Sequence, residues 1–166
     1  MERWKVVKLE LVRTNLRRYT FQSPKIKQWV VENCIGRVLN LFAGKTLLGL
    51  GEVRVDVDPE LQECIYSDAV DYVSKYDGEE FNTVILDPPY SYRKSMEMYG
   101  GSYTSRFKML ADLIPTILAK EGRVISFGYH STFLGKVRGY DLTKMCVFAH
   151  GGAQHCTIGI IEEGKG

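Results

Sequence analysis

The chain has 166 residues, 45% of them hydrophobic and 25% charged, with a formal net charge of +2. That length suits one domain with its own core and is short for two, and the composition is neither that of a disordered chain nor that of a fibrous one. No apolar run approaches the roughly 20 residues of a membrane span. Met1-Glu2-Arg3-Trp4-Lys5 carries no apolar signal core, so a cytoplasmic protein that does not engage a membrane is expected.

Trp4–Val12 alternates enough, through Trp4, Val6, Leu9 and Leu11, to predict an N-terminal strand inside a basic arm. Ser23-Pro24 then opens a helix carrying Ile26, Trp29, Val30 and Val31, with serine at the N-cap and proline at the first helical position. Arg37–Phe42 reads as a buried strand running into Ala43-Gly44. Glu52–Val57 is the next, closing on Asp56-Val57-Asp58-Pro59. Glu63–Tyr66 is a third, followed by Ser67-Asp68-Ala69 and a short helix over Val70–Tyr76. Phe81–Leu86 is a fourth. Ser105–Lys120 has the best helical periodicity, with Phe107, Leu110, Leu113, Ile114 and Ile117 on one face. Pro115 is expected to kink it and Gly122 to end it, before a fifth strand at Arg123–Phe127. Met145–Ala149 and Thr157–Ile161, joined through Gly151-Gly152, predict an antiparallel pair. Strands alternating with helices argue for an α/β, doubly wound, mainly parallel sheet with a C-terminal antiparallel hairpin, in a single domain over residues 1–166.

Charge is unevenly spread. Residues 1–27 carry eight Lys and Arg against Glu2 and Glu10, whereas residues 52–80 carry ten acids against Arg54 and Lys75. The basic arm, with the pairs Arg93/Lys94, Arg106/Lys108 and Lys136/Arg138, has the character of a phosphate-tracking surface; solvated faces give similar patterns, so both readings stand. Cys146, His150, His155 and Cys156 are close in sequence, but their spacing fits no common zinc framework. Small buried thiols and hairpin histidines are the expectation there, with no metal.

The most informative stretch is Asp87-Pro88-Pro89-Tyr90, directly after the apolar strand Phe81–Leu86. Open α/β sheets bind ligands at the carboxyl ends of their strands. There the Asp87 carboxylate and the Pro88 carbonyl offer two acceptors for the N–H groups of an exocyclic amine. Such an amine is a poor nucleophile because its lone pair is delocalised into the ring, and paired acceptors favour the pyramidal nitrogen that can attack a methyl donor. Tyr90 is suited to stack on the base. The competing reading is a plain turn after a strand, since Asp and Pro-Pro are common there.

A second constellation lies upstream. Asn40-Leu41-Phe42-Ala43-Gly44 is a strand entering a glycine turn, where backbone can approach a ligand closely. Asp56-Val57 and Asp68-Ala69 close the next two strands. Together with Asp87–Tyr90, this order resembles the class I S-adenosylmethionine-dependent methyltransferases, in particular the amino-methyltransferases of adenine or cytosine that carry an Asp-Pro-Pro-Tyr motif. The resemblance covers about residues 20 to 162. It implies a Rossmann-like core binding S-adenosyl-L-methionine through Asn40, Leu41, Phe42, Ala43 and Gly44, with Asp56 and Val57 at the ribose and Asp68 and Ala69 at the adenine. It further implies Phe21, Ser23 and Pro24 over the methionine end, Asp87 at the methyl, and Asp87, Pro88, Pro89 and Tyr90 as the catalytic motif.

The chain departs from the family pattern at Asn40, where an acid is usual, and at Lys45 or Thr46, where a second glycine is usual. Lys45–Gly51 also leaves little room for the helix normally found between the first two strands. The segment Ser91–Thr104, with Tyr92, Arg93 and Lys94 as substrate contacts, is read as a flap or as a surface loop with aromatic anchors. DNA or RNA is the expected partner, with target choice left to loops, a homodimer mate or a specificity partner. Gly44-Lys45-Thr46 does not complete a phosphate-binding loop, because the required earlier glycine is Leu39. Guanine N2 methylation of ribosomal RNA uses a closely related motif, and glutamine methylation is disfavoured by Asp at position 87. An inactive cofactor- or nucleic-acid-binding subunit is the non-enzyme alternative.

Overall fold

A computed structural model describes residues 6–89, 92, 96–99, 102–128 and 133–165, with backbone only for 96–99 and 102–104. Eight strands form one sheet: β1 (Lys8–Arg13), β2 (Val38–Leu41), β3 (Val53–Asp56), β4 (Ile65–Tyr66), β5 (Phe81–Leu86), β8 (Leu118–Gly128), β9 (Tyr140–Ala149) and β10 (Thr157–Gly164). A separate antiparallel pair is made by β6 (Met96–Tyr99) and β7 (Ser102–Ser105). The large sheet runs in the order β1-β9-β10-β8-β5-β2-β3-β4. Every pairing is parallel except those of β10 with β8 and β9. This is the mainly parallel α/β sheet with a C-terminal antiparallel hairpin that the sequence predicts.

The strands are continuous apolar runs because both faces are covered, as parallel sheets require. On one face Phe21, Ile26, Trp29 and Val30 of α1 (Pro24–Asn33) and the turn before it pack on Val38, Ile85, Ile125, Phe127 and Phe148. On the other, Val70 and Val73 of α2 (Ala69–Lys75) and Leu110 and Ala111 of α3 (Arg106–Leu113) pack on Leu39, Leu41, Val84 and Leu86. Ser23 caps α1, its Oγ accepting from the Ile26 N–H and lying 2.8 Å from Thr14 Oγ1, so cap and N-terminal strand are tied together.

Several predicted elements differ. The expected helix over Ser105–Lys120 is only Arg106–Leu113, followed by a 3-10 turn at Ile114–Thr116. Pro115 stops the helix rather than kinking it, because it lacks the N–H that would bond four residues back. The next strand therefore starts at Leu118, not Arg123. Gly122 is not a helix cap: it sits in β8, where a Cβ would come 2.8 Å from the Ala119 carbonyl oxygen. This is also where the pairing with β5 shifts, from Phe81 opposite Leu118 to Thr83 opposite Arg123. The N-terminal strand is Lys8–Arg13, and half of the supposed flap is the β6–β7 hairpin.

Glu162 supplies a buried polar anchor. It is fully buried on β10, and its carboxylate accepts the backbone N–H groups of Phe133, Leu134 and Gly135, each at 2.8 Å. Hydrogen bonds to charged groups contribute about 1.5–3 kcal/mol each. Glu162→Gln, which leaves one acceptor oxygen and turns an NH2 toward an N–H, is expected to cost about 3 kcal/mol. For a chain of this size that lowers the thermal midpoint by roughly 10 °C, checked by a melting curve.

Candidate active site

The chain order of the strands reverses direction at β2. From β2 the chain steps outward to β3 and β4, then returns to place β5 on the other side of β2. A crevice at the carboxyl ends of the strands flanking such a switch point is where doubly wound sheets bind ligands. Leu41 pairs beside Leu86 in parallel register, so the loops starting at Phe42 and at Asp87 leave the same rim side by side. They also touch: the rings of Phe42 and Tyr92 meet edge to face at 4.8 Å.

The β2 loop is bent by backbone that side chains then lock. Phe42 and Gly44 both have positive φ, 65° and 59°. At Gly44 the position a Cβ would occupy has nothing within 4 Å, so the glycine backbone faces open space where a ligand can approach. Asp56, at the end of β3, accepts the Gly44 N–H at 2.9 Å and the Asp58 N–H at 3.0 Å. Arg54 donates to the Gly44 carbonyl, and Glu52 accepts from the Leu48 and Leu50 N–H groups. The stretch from Phe42 to Glu52 contains no helix, in accord with its short length.

Below the loop, Asn40 is wholly buried, and neither its amide nitrogen nor its carbonyl oxygen has a hydrogen-bond partner. Leaving such groups unpaired costs about 1–3 kcal/mol each. Asp68 caps α2, with Oδ1 accepting from the Val70 and Asp71 N–H groups and pairing with Arg106. Arg106 is thus bound to an acid, and Arg138 pairs with Asp112 at 2.6 Å; these two of the basic pairs are engaged within the protein. Tyr92 is half-buried, and burial first and Asp68 second push its phenol up to about 12, against the opposing pull of Arg106. Its ring therefore belongs to the Phe42 and Asp68 side of the crevice.

On the other side of Asp87 lies an open cavity of about 430 Å³, a size ordinary for ligand sites. Asp87 and Pro88 line it from β5, Phe127 and Gly128 from β8, Leu16 and Thr20 from the segment before α1, and residues 153–157 from the β9–β10 hairpin. Asp87 is half-buried and Pro88 buried. Thr20, just before the segment predicted over the cofactor, lines this cavity, and Phe21, Ser23 and Pro24 are not among its lining residues. Phe21 is turned inward, edge to face with Phe127 at 5.5 Å between ring centroids, and Ser23 is buried as the α1 cap. Pro24 is exposed at the first turn, Val57 is exposed beyond β3, and Ala69 is buried at the start of α2. Tyr90, Arg93 and Lys94 lie outside the described residues. Sequence reasoning missed Phe127-Gly128 and the hairpin tip as cavity walls. The position of Phe127-Gly128 at the carboxyl end of the strand beside β5 was the available signal.

The described residues contain no group of three or more His, Cys, Asp and Glu side chains placed to hold a metal. Cys146 is buried, and desolvation pushes its thiol up to about 11 and that of Cys34 up to about 12. Cys156 is exposed on the cavity wall. At pH 8 a thiol reagent is expected to label Cys156 first and to spare Cys34 and Cys146, because the thiolate is the reactive form. Mass spectrometry of partially modified protein checks this.

No family model matches the sequence, and no curated protein matches it. Solved structures do match in shape. N-methyltransferase NodS from Bradyrhizobium japonicum WM9 superposes with a TM-score of 0.65 at 10% identity over 91% of this chain and 100% of its own. The chain shares the fold of this N-methyltransferase. TrmN from Thermus thermophilus gives a TM-score of 0.57 at 18% identity over 86% of this chain and 49% of its own. A putative methylase, HI0767 from Haemophilus influenzae, gives 0.54 at 13% identity over 86% and 88%. NodS has also been solved with S-adenosyl-L-homocysteine, and that form superposes with a TM-score of 0.62 at 9% identity. No described helix is long and apolar enough to cross a membrane.

Proposed function

We propose that this protein is an S-adenosylmethionine-dependent methyltransferase acting on the exocyclic amine of a nucleobase, adenine N6 ahead of cytosine N4. The observation that carries the reading is the meeting of the β2 and β5 loops at the switch point, with Phe42 against Tyr92 and Asp87 lining an open cavity large enough to admit a base. The donor set fits the cofactor. Open space over Gly44 and the acids Asp56 and Asp68, at the ends of β2, β3 and β4, support a site for its methionine, ribose and adenine parts in that order. Each oxygen of Asp56 that accepts a backbone N–H keeps a second lone pair for a ribose hydroxyl. When bound, the cofactor supplies an electrophilic methyl on a sulfonium.

The protein's own part is to hold the amine. Asp87 and the Pro88 carbonyl accept its two N–H groups and turn its lone pair toward the methyl; Tyr90 stacks on the ring. Phe127 and the hairpin tip flank the base, and alignment of the two reactants supplies most of the rate. A base buried in a duplex cannot reach Asp87, so the substrate is a flipped or single-stranded nucleotide. Target choice falls to loops or to a second protein subunit.

Incubation with radiolabelled methyl donor and separate DNA, RNA and protein pools tests the assignment. Label in N6-methyladenine or N4-methylcytosine is the expected result. Label confined to protein, or cofactor binding with no transfer to any nucleic acid, overturns it.

A further inference from the structure

Charge is segregated across the sheet, and the active rim divides it. Residues 52–80, with ten acids against two cations, form β3, β4 and α2 at one end of the strand order. At the opposite end, residues 11–31 carry Arg13, Arg17, Arg18, Lys25 and Lys27 and no acid, and residues 142–161 also carry none. These two acid-free segments are folded against each other. The Thr14 N–H donates to the Ala149 carbonyl at 3.0 Å, and the His150 ring bridges the Thr14 carbonyl (3.0 Å) and Thr157 Oγ1 (2.8 Å). Lys25 Nζ donates to the Arg13 carbonyl at 2.8 Å. Together they border an open cavity of about 720 Å³, whose walls include Arg13, Arg17, Lys25 and His150 and, among the described residues, no carboxylate.

This basic cavity adjoins the one at Asp87. Arg13, Thr14, Asn15 and Arg17 face the first while Leu16 and Thr20 face the second, and the hairpin gives Gly151 to one and Ala153 to the other. Between Arg17, which lines the first, and Thr20, which lines the second, the chain carries Arg18 and the exposed Tyr19, the guanidinium 5.4 Å from the ring centroid. A cationic groove interleaved with an exposed aromatic is the arrangement that holds single-stranded nucleic acid by phosphate contacts and base stacking.

We infer that Arg13, Arg17 and Lys25 form the docking groove for the phosphodiester backbone of a single-stranded nucleic acid. Tyr19 stacks a base on the ridge between this groove and the target base in the Asp87 cavity. The inference rests on the proposed function for what happens at Asp87, not for the groove itself. β9 lies three strand positions from β5, on the order of 14 Å at the usual strand spacing of about 4.8 Å. That is about four nucleotides at a stacked rise of about 3.4 Å. The groove therefore contacts phosphates a few nucleotides away from the methylated one, while the acidic flank at β3 and β4 keeps the strand off the cofactor side.

The test uses fluorescein-labelled 20-nucleotide DNA and RNA single strands of mixed sequence, titrated with the full chain between 0.05 and 0.3 M NaCl (about these limits span the useful salt range). Three proteins are compared: wild type, Arg13→Ala/Arg17→Ala/Lys25→Ala, and a control that removes the same charge elsewhere, at the exposed Lys75→Ala/Lys120→Ala/Lys165→Ala. Each single-strand phosphate contact contributes about 0.7 to the slope of log K against log salt. The groove variant is expected to lose about 2 from that slope and about 100-fold in affinity at 0.1 M salt, with unchanged melting and unchanged S-adenosylhomocysteine binding. The control is expected to stay within about threefold of wild type, as groups outside the groove touch no phosphate. Equal losses in both variants, no loss in the groove variant, or no binding by wild type overturns the groove. Binding through the groove without methyl transfer leaves the groove standing and removes the function proposed at Asp87. DNA against RNA is read from the two labelled strands.

Discussion

Asp87→Ala is expected to slow methyl transfer to a nucleic-acid substrate by at least about 100-fold, the usual scale for removing one preorganised partner of a developing charge. Cofactor affinity should stay within about twofold, because the locked β2 loop holds the cofactor without Asp87. The carboxylate is fixed by its position. It follows Leu86, fully buried, and precedes Pro88, also buried, so the backbone on either side is immobilised while the side chain reaches the cavity. Asp87→Asn keeps one acceptor oxygen and is expected to fall between the two proteins. Single-turnover rates with labelled donor measure the transfer, and calorimetric titration of S-adenosylhomocysteine measures the affinity. Unchanged turnover in Asp87→Ala removes the role assigned to the residue.

Asp56→Ala is expected to weaken cofactor binding by tenfold or more. Its carboxylate holds two turns at once, the one after β2 through the Gly44 N–H and the one after β3 through the Asp58 N–H. Each such bond to a charged acceptor is worth about 1.5–3 kcal/mol, and a ribose contact adds to them. Losing the carboxylate frees Gly44, whose positive φ is needed to open the loop toward the ligand. Asp56→Asn retains an acceptor for Gly44 and should lose less. A calorimetric dissociation constant for Asp56→Ala equal to that of wild type would show that neither the loop lock nor the ribose contact matters.

These two acids differ in how plainly the sequence displays them. Asp87 is marked by its neighbours: an apolar strand before it and two prolines after it leave few conformations, so its place at a strand's carboxyl end is fixed locally. Asp56 is one of several acids in an acidic stretch, and only the pairing of Asn40 with Arg54 and of Leu41 with Val55 brings it under Gly44. Asn40 reads as a weakened version of an acidic position; burial with both polar atoms unpaired is visible only in the folded protein. The helix expected over Ser105–Lys120 went astray for a related reason. Its 3.6-residue periodicity continues past Pro115, but Leu118 is claimed by pairing with Phe81, a contact that no local pattern reports.

By itself the sequence determined the strands β2, β5 and the start of α1. Apolar runs buried on both faces and a serine–proline cap admit one local structure each, and the Asp-Pro-Pro stretch inherits its place from the strand before it. The tertiary structure alone decided which loops meet. It put Phe42 against Tyr92, folded the acid-free segments 11–31 and 142–161 into one basic wall, and sent the acids of 52–80 to the far end of the sheet. Strand order is set by long-range pairing, and side-chain alternation along a strand carries no record of which strand will lie beside it.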